Sequence, residues 1–189
     1  MRVESVDPAR MTEAQREIYE RYATGPRAAP DSPFSLVDAD GRLQGPPAIW
    51  ILSPPFGRAL ERFGGAVRFE SELPLRAREM AILVVAHHHR SPFERYAHER
   101  AGAAAGLTAG DLAALAEGRD PAELSDVESL VLGVTRSVLD RGTLSDGEFR
   151  DAAGLLGEAG LFELVTIVGY YTMLAWQLAV FDIRPAGAS

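Results

Sequence analysis

The sequence predicts an all-α protein of about seven to nine helices, on three observations. Cap signals recur along it: Thr12/Gln15, Ser91/Glu94, Thr108/Asp111, Ser125/Glu128 and Ser145/Glu148 each set a hydroxyl residue three positions ahead of an acid or amide that can reach back to it. Apolar residues return at helical spacing, as in Phe56, Leu60, Phe63 and Val67. No stretch alternates apolar and polar residues as a half-buried strand does.

In chain order, Thr12 opens a first helix that ends near Ala23-Thr24-Gly25-Pro26. From Gly25 to Pro47 the chain turns to Gly, Pro, Asp and Ser, with Asp40-Gly41 as a turn signal, so residues 1–47 read as a helix and long loop extension. Ala48 to Leu52 is apolar and fits either a short helix or a strand. Phe56 to Phe69 is amphipathic, weakened by Gly64-Gly65. After Pro74, Arg76 to His88 is apolar over most of its circumference through Met80, Ala81, Leu83, Val84 and Val85, as a central helix requires. Pro92 reopens a helix to about Ala105, which Gly106 ends. Thr108, Ser125 and Ser145 start the next three, running to Ala116, Leu139 and about Leu156. Leu161 to Phe181 closes the fold, and residues 184–189 read as a flexible tail on a single domain spanning 1–189.

With 47% hydrophobic and 24% charged residues the composition is that of a globular chain. A net charge of −8, with all positive side chains Arg and interleaved with acids, argues against nucleic acid as a partner. The absence of cysteine excludes disulfides, thiolate nucleophiles and Cys-ligated metals. Met1 to Pro8 lacks a signal-peptide apolar run, so the expected location is cytoplasmic. Leu164 to Phe181 carries no formal charge, but Thr166, Gly169, Tyr170, Tyr171, Thr172 and Gln177 interrupt it; a core or subunit-interface helix is expected there rather than a membrane span.

Candidate chemistry concentrates between Arg76 and His98. Glu94 and His98 are an i,i+4 pair and share a helix face, where a carboxylate can fix the tautomer of an imidazole and favour its protonated form. Arg76 and Glu79 stand one turn apart on the preceding helix; Arg76 suits a substrate carboxylate, or a salt bridge to Glu72, Glu79 or Glu94. His87-His88-His89 cannot all ligate one ion from a regular helix, since successive side chains point about 100° apart, so no metal is expected. No Gly-rich phosphate or dinucleotide loop is present, and Ser91 lacks the G-x-S-x-G surroundings of a hydrolase nucleophile.

Leu73-Pro74-Leu75-Arg76-Ala77-Arg78-Glu79, Ile82 to Ala86, Phe93-Glu94, Tyr96-Ala97-His98-Glu99 and Ala105-Gly106-Leu107 resemble the carboxymuconolactone decarboxylase family, and Gly45-Pro46-Pro47 and Val168 to Thr172 extend the likeness. The resemblance implies an alkylhydroperoxidase D-like helical fold. In that superfamily the active site is a glutamate, two cysteines separated by two residues, and a histidine. Aligned on His98, those positions here are Glu79, Ser91, Glu94 and His98, so cysteine-based peroxide reduction is implausible. Arg95 stands where similar members often carry Trp, which implies an altered pocket.

What the resemblance implies is a cofactor-free carboxy-lyase that takes 4-carboxymuconolactone, or a related small carboxylated lactone or acid, to an enol-lactone in aromatic catabolism. His98 would be the proton donor or electrophile, Glu94 and Glu79 its orienting or relay carboxylates, and Arg76 and Arg95 the substrate-binding side chains. It also implies a homo-oligomer and no cofactor; the uncharged last helix, with Tyr170, Tyr171 and Trp176, suits the interface, and its interrupting polar residues leave no membrane partner expected. A non-redox isomerase or cyclase of a natural-product pathway, or a non-catalytic oligomeric binding protein, is the alternative.

Overall fold

The computed structural model describes residues 2–25, 28 and 33–185. Among these the chain forms α1 (Glu13–Ala23), α2 (Pro47–Trp50), α3 (Pro54–Phe69), α4 (Leu75–His88), α5 (Pro92–Ala104), α6 (Ala109–Ala116), α7 (Asp126–Arg141) and α8 (Asp146–Phe181), with a 3-10 turn at Pro8–Arg10. The only extended pairing among the described residues is an isolated antiparallel bridge, Val37 to Leu43, inside the long loop. The all-α expectation holds, and the apolar stretch at Ala48 resolves as the short helix α2. Part of the expected tail, residues 186–189, lies outside the described residues.

These elements fall into two compact units, residues 1–70 with 176–189, and residues 71–175. In the first, α1, α2 and α3 bury Ile18, Tyr22, Ile49, Trp50 and Ile51. Trp50 Nε1 donates to Gln177 Oε1 at 2.9 Å, and Arg2 N–H bonds Phe181 O, which ties the chain's two ends together. The amphipathic face of α3 differs from the one its large residues suggest. Phe56 and Phe63 are exposed, whereas Gly57, Gly64 and Val67 are buried. A Cβ on Gly57 would stand 2.5 Å from Trp50 O and 2.8 Å from Ile18 Cδ1, so backbone proximity, not side-chain size, chooses the buried face.

In the second unit α4 is the axis, packed against α5, α6 and α7. Met80, Leu83, Leu107, Leu115 and Leu132 form one core cluster from these elements and the α5–α6 turn. Each such side chain is worth about 1.5–3 kcal/mol on burial, so α4 owes its place to packing on nearly all sides. The helix ends are tight. Gly106 (φ 97°) and Gly118 (φ 72°) close α5 and α6 in left-handed conformations, with Leu107 N–H reaching Gly102 O and Arg119 N–H reaching Ala114 O. At the end of α4 the same closure is made by a non-glycine residue, Arg90 (φ 52°), with Ser91 N–H on Ala86 O and Arg90 N–H on His87 O.

The two helical runs expected at 146–156 and 161–181 join as α8 through Gly157, whose φ of 71° and ψ of 164° kink it. By length and composition α8 is long and apolar enough to cross a membrane. Leu161, Leu164, Ile167, Val168 and Leu174 on it are nonetheless buried within the protein.

Candidate functional site

The site grows out of the α4–α5 hairpin. Glu79, on the second turn of α4, and His98, on the second turn of α5, are both buried, and His98 Nδ1 lies 2.7 Å from Glu79 Oε2. With Nδ1 held by a carboxylate, the ring's orientation is set and Nε2 points the opposite way. The edge of this arrangement is aromatic: the Tyr171 ring from α8 meets the His98 ring at 4.9 Å and 88°, and Tyr170 meets Tyr171 at 5.3 Å. Tyr171 therefore stands beside the imidazole as well as on a helix expected to form an interface.

Glu94 lies one turn before His98 on α5 but makes no hydrogen bond to it. The carboxylate that holds the imidazole is Glu79, from the neighbouring helix, rather than the i,i+4 partner. Glu94 is 2% exposed, neither of its oxygens has a hydrogen-bond partner, and the buried Ser91 hydroxyl also has none. Burial pushes the Glu94 carboxyl up to about 8. Ser91 lies close enough to draw it partly back, without making a hydrogen bond of normal geometry. At neutral pH Glu94 is thus mainly a carboxylic acid, able to donate.

The capping box expected at Ser91/Glu94 does not form: α5 has no side-chain cap. Ser91 N–H, which Glu94 would have to receive, is already bonded to Ala86 O by the closure of α4.

Arg76 goes elsewhere. Its guanidinium bonds Glu128 Oε1 and lies 3.1 Å from Asp111 Oδ2, so it joins the first turns of α6 and α7 to the start of α4. Of the two readings of Arg76 from sequence, the salt-bridge one is corrected in its partners, which are Asp111 and Glu128 rather than Glu72, Glu79 or Glu94. The Thr108 N–H and Arg76 hold the Asp111 carboxyl below its usual range. Burial works to raise Glu128, but the Ser125 N–H and Arg76 outweigh it and the net shift is downward. Both acids are therefore ionised and satisfied, unlike Glu94.

Arg95 is exposed on the outer side of α5, 3.6 Å from Glu99 in an i,i+4 pair, and is not among the groups around Glu79 and His98. The three consecutive histidines diverge. His89 Nε2 lies 3.2 Å from Thr172 Oγ1, and the His88 ring meets the His89 ring edge-on at 4.8 Å. His87 keeps a buried, unpartnered Nε2, and burial, then Arg95, lowers its pKa. Among the described residues no three His, Asp or Glu side chains come together to hold a metal.

The arrangement is a proton-handling one on an all-α scaffold: a carboxylate-held imidazole, a protonated buried carboxyl and a hydroxyl, all on two packed helices. Residues 54–137, from α3 through most of α7, match the family model described as the carboxymuconolactone decarboxylase family. The matched segment holds Glu79, Ser91, Glu94 and His98 and contains no cysteine. No curated protein matches the chain.

Proposed function

We propose that the protein is a cofactor-free carboxy-lyase acting on a small carboxylated lactone such as 4-carboxymuconolactone, with His98 as the proton donor and Glu79 as the group that orients it. The observation that carries this reading is the buried 2.7 Å contact between Glu79 and His98 inside the family segment. Decarboxylation breaks the bond to the carboxylate carbon, and the electron pair left behind moves through the conjugated ring onto the lactone carbonyl oxygen as a dienolate. A proton from His98 then forms the new C–H bond, and His98 recovers its proton from water; one CO2 leaves and one proton is taken up. A donor fixed at a stated position supports that last transfer.

Substrate recognition in this reading does not run through Arg76, whose guanidinium is taken by Asp111 and Glu128. The test is incubation of the purified protein with 4-carboxymuconolactone while CO2 is followed. Release that depends on His98 is expected. No release from the wild-type protein removes the decarboxylase reading, and full activity in His98→Ala removes the site.

A further inference from the structure

We propose that Ser91 Oγ, the first-turn N–H groups of α5 at Phe93 and Glu94, and the Glu94 carboxyl form the seat for the oxyanion that develops on the substrate's carbonyl oxygen. The inference deepens the decarboxylase reading and rests on it for the identity of the anion. It starts from a helix of 13 residues whose N-terminus is uncapped. The N–H groups at such a terminus point outward without partners and carry the positive end of the helix dipole, which favours negative charge.

The second observation is independent of the helix end. Ser91 is 4% and Glu94 2% exposed, and all three of their side-chain oxygens lack a hydrogen bond. Buried polar atoms left in this state are costly, and a ligand that satisfies them recovers that cost. What they lack defines the ligand. A hydroxyl, two backbone N–H groups and one O–H of a carboxyl that is mainly protonated at neutral pH have a proton to give, while the second carboxyl oxygen only accepts. Donors of this kind at the first turn of one helix suit an acceptor with several lone pairs, which an enolate oxygen is and a neutral carbonyl is less fully. Donors that strengthen as charge grows lower the barrier rather than merely binding the ground state.

The geometry of Ser91 itself follows from its backbone. Its ψ is 105°, against 162° to 164° at the capping residues Thr12, Thr108 and Ser125, and its hydroxyl does not make the bond those three make. The roles then separate. Glu79 orients His98, His98 supplies the proton to carbon, and Ser91 with the head of α5 holds the oxygen.

The experiment uses the full chain and two readouts. Binding of 2-furoate, a flat five-membered ring bearing an oxyanion, is measured by titration calorimetry near pH 6.5, and CO2 release from 4-carboxymuconolactone is measured in parallel. Wild type is expected to bind 2-furoate, and Ser91→Ala to bind it at least about tenfold more weakly. With the lactone, Ser91→Ala is expected to lower kcat by roughly 10²-fold while KM moves little. Glu94→Leu, which removes the carboxyl but suits an apolar site, is expected to weaken 2-furoate binding as well, and thermal melting of both variants checks that they fold.

No 2-furoate binding by wild type, or undiminished binding by Ser91→Ala, overturns the seat. If binding depends on Ser91 but the lactone yields no CO2, the seat stands and the decarboxylase reading falls. If CO2 is released and Ser91→Ala keeps wild-type kcat, the seat falls and the reading stands.

Discussion

At the start of α6, Thr108 Oγ1 accepts from Asp111 N–H while the Asp111 carboxylate returns to Thr108 N–H; at the start of α5, Ser91 and Glu94 stand at the same spacing and exchange neither bond. The difference lies in the turn before each helix. Between α5 and α6 the residue that closes the first helix, Leu107, and the residue that caps the second, Thr108, are separate. Between α4 and α5 both duties fall on Ser91, and its single N–H goes to Ala86 O. Glu94 then has nothing to receive. One residue less in a turn leaves Glu94 without the cap bond that Asp111 makes.

The electrostatics follow the same division. Asp111 and Glu128 are held ionised by N–H groups and Arg76, so they stabilise the fold. Glu94, without a partner, takes up a proton instead. A buried carboxyl without a partner costs stability, and under the proposed function that cost would be one side of a stability–function trade-off.

The sharpest way to break the comparison is at the imidazole. His98→Ala is expected to lower kcat for CO2 release by about 10² to 10⁴-fold, the usual range for a positioned proton donor, and Glu79→Gln by less, since it keeps the ring in place while removing the carboxylate's charge. Rapid-mixing measurement of CO2 on both variants checks the order. If Glu79→Gln is the more severe, Glu79 carries the proton and His98 only relays it.

The pH dependence of stability separates the two kinds of acid. Glu94 has a folded-state pKa of about 8 against an ordinary value of 4.5, so between those values the unfolded chain binds fewer protons than the native one. Glu94 therefore makes stability fall as pH rises from about 4.5 to about 8, by a few kcal/mol at most, and adds no slope above that. Asp111 and Glu128, with lowered values, act in the opposite sense: their contribution is present above the usual carboxylate range and is lost as pH falls through and below it. Urea midpoints at pH 5 and pH 8 read the first effect. Glu94→Gln is expected to flatten that interval and to raise the midpoint at pH 8, and an unchanged slope would assign the loss to other groups.

Arg76→Ala tests the structural side. Its pairs with Asp111 and Glu128 are partly in solvent, with 26% of the Arg76 side chain exposed, so the expected loss is about 1–2 kcal/mol of stability rather than that of a fully buried pair. The kcat and KM of the folded variant are expected to stay near wild type. A rise in KM without loss of stability would return Arg76 to the role of carboxylate clamp.

Much of the fold is legible in the sequence because helix starts are local. Thr12, Thr108 and Ser125 begin helices where their spacing says, and the boxes form as drawn. Three features were not legible. The buried face of α3 is set by how closely Gly57 lets α2 approach, so the large residues Phe56 and Phe63 point outward against their own pattern. The closure of α4 uses Arg90 in a left-handed conformation where glycine is the usual signal, and without that signal the turn reads as ordinary. The partner of His98 comes from another helix 19 residues away, whereas spacing alone favoured Glu94. The residues of the site were readable as types; which of them pair is decided by tertiary contacts.

The smallest expected effect isolates the turn itself. Thr108→Ala and Ser125→Ala each remove a hydroxyl that accepts a first-turn N–H, and each is expected to cost about 1 kcal/mol, read as a lower urea midpoint at unchanged slope. Ser91→Ala removes a hydroxyl from the same position of a helix but one that bonds nothing, so its cost is expected to be within about 0.5 kcal/mol of zero, or to be a slight gain. A loss at Ser91 equal to that at Thr108 means that its hydroxyl caps α5 in solution, and the contrast between the two helix starts disappears. A neutral result leaves a buried hydroxyl with no part in holding the fold, which is the state expected of a group kept for a ligand.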